Sequence, residues 1–415
     1  MMRRITAGGP AMLGCSLALS LSLAVATGAW AAKPPPPDLS QGDGRTSAFY
    51  TWDKDIPTRP GVLLRSEPLP STLGLANADR QLRILYTSTD GVGGKTPTVV
   101  SGAVFLPKGT PPAHGWPLVA WAHGTFGMAD SCAPSWHGRS YRDVRYLNAW
   151  LKEGYAVVAT DYQGLGVPGP NPALSNRANA YAVLDSARAV VRSVPGLNGK
   201  VLLVGQSQGG AAVFAAAGYA PGYAPDLDVR GTVATGVMYR PPGEAAAAPA
   251  ERSHKLDPTL AYQFLSVLAA QQYDPSLKAS EILTDQALPL LEQARVSCLD
   301  TLEEDVEGLG LTAADAIQPG AEARLAPWWD AYQRFPTLQL KQPVFIGAGA
   351  DDGLAPAQLA LARNACAAGA TVEIHLYLRR DHSGAVNTSL QDSLPFARKV
   401  IAGEPIQPIC KPTPQ

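Results

Sequence analysis

The chain has 415 residues, 46% of them apolar and 17% charged, with a formal net charge of -1. Such a length and apolar share allow a sizeable core, and the balanced charge leaves no broad basic surface to recommend a nucleic-acid partner. Outside the termini, nothing in the composition argues for disorder.

At the start, Arg3 and Arg4 precede an apolar run from Leu17 to Ala26, and Ala29-Trp30-Ala31 places small residues where a signal peptidase reads. Residues 1–31 are therefore expected to be a signal peptide cleaved near Ala31, with the mature protein secreted or periplasmic. The run is too short for a membrane anchor, and no other stretch is apolar enough to span a bilayer. Met12-Leu13-Gly14-Cys15 superficially matches a lipoprotein site, but most of the apolar region follows it. Removing the leader leaves Cys132, Cys298, Cys366 and Cys410. An even number in an exported chain predicts two disulfides, with three pairings open. No Cys/His spacing points to zinc, and no metal or cofactor is expected.

Residues 32–78 begin with four consecutive prolines and read as an extended tether followed by a surface wrap. Gln81–Thr89 and Thr98–Leu106 then form two strands joined at Asp90-Gly91-Val92-Gly93-Gly94. Pro117–Ala122 is a third strand, and a helical pattern through Tyr141, Val144, Leu147 and Leu151 stops at Gly154. Tyr155–Thr160 is the fourth strand, Ala178–Arg192 a helix, Val201–Val204 the fifth strand and Val229–Val237 the sixth. Pro343–Ala348 and Thr371–Leu378 are the seventh and eighth, with a helix at Gln358–Ala367 between them. This alternation predicts an α/β protein with a mostly parallel eight-stranded sheet covered by helices on both faces. The core is expected over residues 79–237 and 343–415. Between strands six and seven, residues 238–342 carry no strand rhythm and predict a helical cap. Its parts are the alanine-rich Glu244–Ala250, a helix over Pro258–Gln272, and leucine-bearing helices near Ile282–Leu299, with Trp328-Trp329 close to its end.

The chemistry centres on Gly205-Gln206-Ser207-Gln208-Gly209. An apolar strand leads into it and an alanine-rich helix leaves it, the setting in which a glycine-flanked serine is raised above a sheet as a nucleophile. A serine hydroxyl needs a base, and the base needs an orienting acid. Of the six histidines, His382 follows the eighth strand in a loop, where the base belongs. His375 lies within the strand and reads as a packing residue, and His114, His137 and His254 have no positional argument. The acid belongs after the seventh strand, where Asp351 and Asp352 compete. The Gly349-to-Pro356 spacing favours Asp352 and leaves Asp351 as a turn former. Backbone N–H groups of Gln208 and of the Gly124-Thr125 loop are expected to form an oxyanion hole. His123, Asp161 and Gln206 are expected to contact substrate, although Asp161 equally suits a structural turn.

These pieces together resemble the α/β-hydrolase superfamily and, more narrowly, the secretory lipase family, of which the fungal lipase A type is best known. The residues that carry the resemblance are Ala122–Thr125, Asp161–Gly166, Gly205–Gly210, Gly349–Pro356 and Asp381-His382. The resemblance implies hydrolysis of carboxylic esters, typically acyl glycerols, and a helical cap that shapes an acyl-chain tunnel and touches a lipid interface. It also implies Cys132–Cys298 and Cys366–Cys410 as the disulfide pairs. A monomer acting on a small-molecule or lipid ester is expected. Two further readings stay open: a peptidase or amidase, since a triad alone does not separate the classes, and a non-catalytic binding module.

Overall fold

The computed structural model describes residues 32–241 and 253–415. The expected leader at residues 1–31 and the alanine-rich stretch Glu244–Ala250 of the expected cap lie outside the described residues. The described chain forms one nine-stranded sheet of order β1-β2-β3-β5-β4-β6-β7-β8-β9. The strands are β1 (Leu63–Pro68), β2 (Ala78–Thr89), β3 (Pro97–Pro107), β4 (Trp116–Ala122), β5 (Ala156–Gln163), β6 (Leu197–Gln206), β7 (Asp228–Thr235), β8 (Val344–Gly349) and β9 (Val372–Tyr377). From β1 through β3 to β5 the pairing is antiparallel, and from β5 across to β9 it is parallel.

Eight strands were expected, and the ninth is β1, inside the segment assigned to the wrap. Its sequence, Leu-Leu-Arg-Ser-Glu-Pro, is only partly buried. Pairing on one side with β2, it needs no continuous apolar run, which is why composition hides it.

The helices are α1 (Pro134–His137), α2 (Tyr141–Lys152), α3 (Asn176–Ser193), α4 (Gln208–Tyr223), α5 (Ala261–Tyr273), α6 (Leu288–Val296), α7 (Leu299–Leu309), α8 (Ala313–Ala316), α9 (Ala321–Tyr332), α10 (Ala355–Ala367), α11 (Gly384–Thr388) and α12 (Leu390–Ala402). The two-residue period of β6 explains the layers. Val201 and Leu203 pack with α3, α4 and α10 on one face, while Leu202 and Val204 pack with α2 and α12 on the other. Such strands are apolar throughout because both faces are covered.

Between β7 and β8 the described residues are helical and have their own core. Phe264, Leu268, Leu291, Leu302 and Trp328 cluster there and rest on Met128, Ala173 and Leu174 from loops of the sheet domain. Cys132–Cys298 joins the loop after β4 to the start of α7, and the Leu299 N–H donates to the Phe126 carbonyl at 2.8 Å beside it. Cys366–Cys410 joins α10 to the tail, which runs along the outer edge of β9 through hydrogen bonds at Ile409 and Gln415. Both links follow the pairing that the resemblance implies. No helix among the described residues is long and apolar enough to cross a membrane.

Candidate active site

The site lies where the carboxyl ends of β4, β6, β7 and β8 meet. β6 is buried as far as Gln206, and α4 begins at Gln208, so Ser207 alone makes the turn between them. Its backbone is at φ 58° and ψ -119°, a conformation that strains any residue other than glycine. The surroundings hold it there. Gly205 and Gly209 press together with the Ala122 backbone where a Cβ would collide, and the Ser207 N–H donates to the Thr235 carbonyl at 2.9 Å. Gln208 is the first residue of α4, so its N–H has no acceptor within the helix.

The residue after Thr235 is Gly236, and His382 lies directly against it. Gly236 has φ +61°, and a Cβ there would stand 2.6 Å from His382 Cε1. Ser207 hangs from Thr235 and His382 packs on Gly236, so both rest on the end of β7. His382 Nδ1–H donates to Asp352 Oδ2 at 2.9 Å. Asp352 is buried, and its other bonds come from the Leu354 N–H and the Gln358 amide, both at 2.9 Å. Burial alone would raise the Asp352 carboxyl, but the His382 hydrogen bond, with those of Leu354 and Gln358, brings it below the usual value. Asp351 is exposed and forms part of the turn, its N–H donating to the Arg380 carbonyl.

The loop after β4 is built around a buried histidine. His123 Nδ1–H donates to the Gly124 carbonyl at 2.5 Å, and its ring lies against Tyr162 with centroids 4.4 Å apart. Burial lowers its pKa, which keeps the imidazole neutral. Tyr162 takes an unusual φ of 75° and donates its hydroxyl to the His123 carbonyl at 2.8 Å, bracing the loop from behind. Gly124 lets the loop lie close to the nucleophile turn: a Cβ there would meet Gln206 Oε1 at 2.5 Å, which would have to move, and would touch Ser207 Cβ at 3.6 Å. Gly124 and Thr125 face a cleft of about 650 Å³ between the sheet domain and the cap.

Not every expected contact residue reaches this cleft. Asp161 belongs to β5, which runs further than expected, and its side chain is fully buried. It accepts hydrogen bonds from Ser101 Oγ at 2.7 Å, from the Ser135 N–H at 3.0 Å and from the Ser135 hydroxyl. The expectation that it contacts substrate is corrected on that ground. His123 is likewise turned inward, a support for the loop. Gln206 is buried against Gly124, with neither amide atom hydrogen-bonded. Gly236 and Gln358 were not singled out in the sequence, and Tyr162 entered only as part of the Asp161–Gly166 stretch, with no role of its own. A left-handed glycine next to a strand end is the only local signal any of them carries. Among the described residues, no group of three or more His, Cys, Asp or Glu side chains is placed to hold a metal ion.

The model of the secretory lipase family matches residues 141–247, a span that contains Ser207 but neither Asp352 nor His382. A Mycobacterium tuberculosis (strain CDC 1551 / Oshkosh) protein named a probable inactive lipase is 31% identical over 189 residues, which cover 42% of this chain and 41% of that protein. Lipase 6 of Candida albicans (strain SC5314 / ATCC MYA-2876) is 27% identical over 230 residues, covering 51% of this chain and 46% of the relative. The chain thus spans less than half the length of these relatives. Among solved structures, Candida antarctica lipase A in its closed state aligns with a TM-score of 0.68 at 20% identity, covering 89% of each chain. The rice cell wall degrading esterase LipA from Xanthomonas oryzae aligns with a TM-score of 0.61 at 19% identity, covering 83% of this chain and 99% of that one. These likenesses show the α/β-hydrolase fold, and the chain is similar to secretory lipases.

Proposed function

We propose that the protein is a secreted serine hydrolase of carboxylic esters, a lipase or esterase working through an acyl-enzyme. The observation that carries this reading is the His382–Asp352 hydrogen bond, seated on Gly236 beside the strained turn at Ser207. His382 takes the Ser207 proton as Oγ attacks the ester carbonyl, and Asp352 stabilises the imidazolium that forms. The negative charge on the carbonyl oxygen is met by the Gln208 N–H and by N–H groups of Gly124 and Thr125. The proton then passes to the leaving alcohol, and a water activated by the same histidine releases the acid. No cofactor takes part.

The remaining features fit a chain that works outside the cytoplasm. Residues 1–31 act as a leader, residues 32–62 wrap the sheet domain ahead of β1, and the cap between β7 and β8 faces the lipid-like substrate. Two disulfides agree with an oxidising compartment. The relative named as inactive keeps a non-catalytic reading in play; the serine, histidine and aspartate gathered at one sheet end weigh against it.

Hydrolysis of p-nitrophenyl esters of rising acyl length tests the proposal. Wild-type turnover that disappears in Ser207→Ala, together with fluorophosphonate labelling of Ser207, is the expected result. Preference for peptide amides would point to the amidase reading. A folded protein inert to esters and amides and unlabelled by the probe would sink the catalytic reading.

A further inference from the structure

Two successive peptide groups of the loop after β4 are tied down by their carbonyl oxygens. The His123 carbonyl accepts from the Tyr162 hydroxyl at 2.8 Å, and the Gly124 carbonyl accepts from His123 Nδ1–H at 2.5 Å. Both donors are buried beneath the loop. A trans peptide sends its N–H opposite to its C=O, and no cis bond occurs among the described residues. Holding these two carbonyls inward therefore turns the N–H groups of Gly124 and Thr125 outward, toward the cleft that both residues line. Neither N–H donates to another group among the described residues. Ser207 Cβ lies 3.6 Å from where a Gly124 Cβ would stand, so the free donors adjoin the nucleophile.

Tyr162 reaches the loop through an irregularity in β5. Gly102 pairs with Thr160 and Ser101 with Tyr162, which leaves Asp161 as an extra residue on the β5 side of the ladder. Such a bulge re-aims the side chain next to it. Ser101 and Ser135 hold Asp161 in place by their hydrogen bonds to its carboxylate. Tyr162 is 2% exposed and sits at φ 75°, a conformation that a bulky residue keeps only where its surroundings enforce it. Its ring packs in the core beside α3 and α4, a place that phenylalanine would fill equally well. The hydroxyl is what reaches the loop.

We infer that Tyr162 and His123 are positioning residues for the reaction: they aim the Gly124 and Thr125 N–H groups at the oxygen that turns negative when Ser207 attacks. This inference rests on the ester-hydrolase reading and gives the strained bulge of β5 a part in the rate. Without the Tyr162 hydroxyl the His123 carbonyl is free to turn, and the Gly124 N–H turns with it. These donors matter more to the charged oxygen than to the neutral carbonyl of the bound ester. Misaiming them therefore lowers kcat and leaves KM nearly alone.

The test uses steady-state kinetics on p-nitrophenyl butyrate and inhibition by a trifluoromethyl ketone, whose adduct with serine carries the same oxyanion. Tyr162→Phe is expected to lower kcat about 10- to 100-fold with KM within about threefold, and to weaken the ketone by the same factor as kcat/KM. Tyr223→Phe is the control. It removes a tyrosine hydroxyl that donates to Asp185 at 2.6 Å at the other end of α4 from Ser207, and is expected to keep kcat within about twofold. His123→Leu is expected to lose as much as Tyr162→Phe. His123→Asn, which keeps an N–H donor near the place of Nδ1, is expected to be at least about fivefold faster than His123→Leu. Thermal melts establish that each variant compared is folded. A folded Tyr162→Phe with kcat within about threefold of wild type, or a loss carried by KM with ketone affinity unchanged, refutes this inference alone. Equal kcat in the two His123 variants also overturns it, and that pair decides the matter if Tyr162→Phe does not fold. If the wild type leaves p-nitrophenyl butyrate untouched and Ser207 resists the fluorophosphonate, the hydrolase reading fails and this one with it.

Discussion

Replacing Gly236 by alanine separates the geometry of the site from the stability of the fold. A Cβ at this position would lie 2.6 Å from His382 Cε1, 3.1 Å from Nδ1 and 3.3 Å from Nε2. Ordinary contact begins at 3.4 Å, so the imidazole must retreat by roughly 1 Å, a misplacement that costs about 100-fold in rate. That loss corresponds to about 2.7 kcal/mol of transition-state stabilisation. The positive φ adds about 1–2 kcal/mol of backbone strain for any residue with a Cβ. Gly403→Ala is the matched control: φ there is +80° and nothing lies within 4 Å, so only the strain is felt. Both variants should melt a few degrees below the wild type. Gly236→Ala alone should lose about 100-fold in kcat/KM on p-nitrophenyl butyrate and slow its labelling by fluorophosphonate. If Gly236→Ala melts like Gly403→Ala yet keeps more than about a third of wild-type kcat/KM, the histidine is not held by this contact and the reasoning fails.

Asp352→Asn should lower kcat by about a thousandfold or more, whereas the exposed Asp351→Asn should stay within about threefold of wild type; steady-state kinetics on one ester decides between them. Removing the disulfide that spans 166 residues, by Cys132→Ser/Cys298→Ser, should cost about 2–5 kcal/mol. Its midpoint in urea should coincide with that of the reduced wild type if Cys366–Cys410 is also opened. Asp130, two residues before Cys132, supplies a pH prediction. Burial raises its carboxyl to about 7, against the hydrogen bond from the Gly44 N–H. A raised carboxyl favours the protonated folded state, so its contribution is fully present below the ordinary value of 3.8 and is lost as pH climbs toward about 7. Asp130→Asn should therefore flatten the fall in stability between pH 4 and 7 and melt higher than wild type at pH 8; a parallel pair of melting curves across that range would refute the assignment.

Those parts of the fold that depend on local pattern were legible in the sequence. β6 reads as a buried strand because Val201–Val204 must face two helical layers, and the glycines of the turn after it are required by backbone crowding at Ala122. The β2–β3 hairpin is likewise local, since Asp90 closes the turn by accepting from the Gly93 N–H and the Gly94 N–H donates back to the Asp90 carbonyl. β1 was hidden because a partly buried edge strand can carry Arg, Glu and Pro without penalty. Asp161 misled for a related reason. A polar residue closing an apolar run looks like a loop residue over the sheet, but the hydroxyls of Ser101 and Ser135 that satisfy it lie far away in the chain.

The pair Asp351 and Asp352 marks where sequence spacing stops and direction begins. Adjacent residues in a turn point apart, so the spacing from Gly349 to Pro356 can bring either carboxylate near the base but cannot aim it. The aim comes from α10. Its start at Ala355 places the Leu354 N–H under one Asp352 oxygen, and Gln358, a turn further on, reaches the other. With both oxygens held and the side chain buried, the remaining direction of Asp352 Oδ2 is toward His382 Nδ1. Asp351 has no such partners and stays in solvent. Gln358 should therefore matter through Asp352 alone: Gln358→Ala would loosen the carboxylate and lower kcat while leaving KM nearly unchanged. Gln358→Glu would set a second negative charge beside it and raise the Asp352 carboxyl, moving the acid limb of the kcat profile to higher pH. Steady-state kinetics of the two variants from pH 4 to 9 checks both effects, and an acid limb that stays in place in Gln358→Glu would show that this glutamine does not set the charge of the acid.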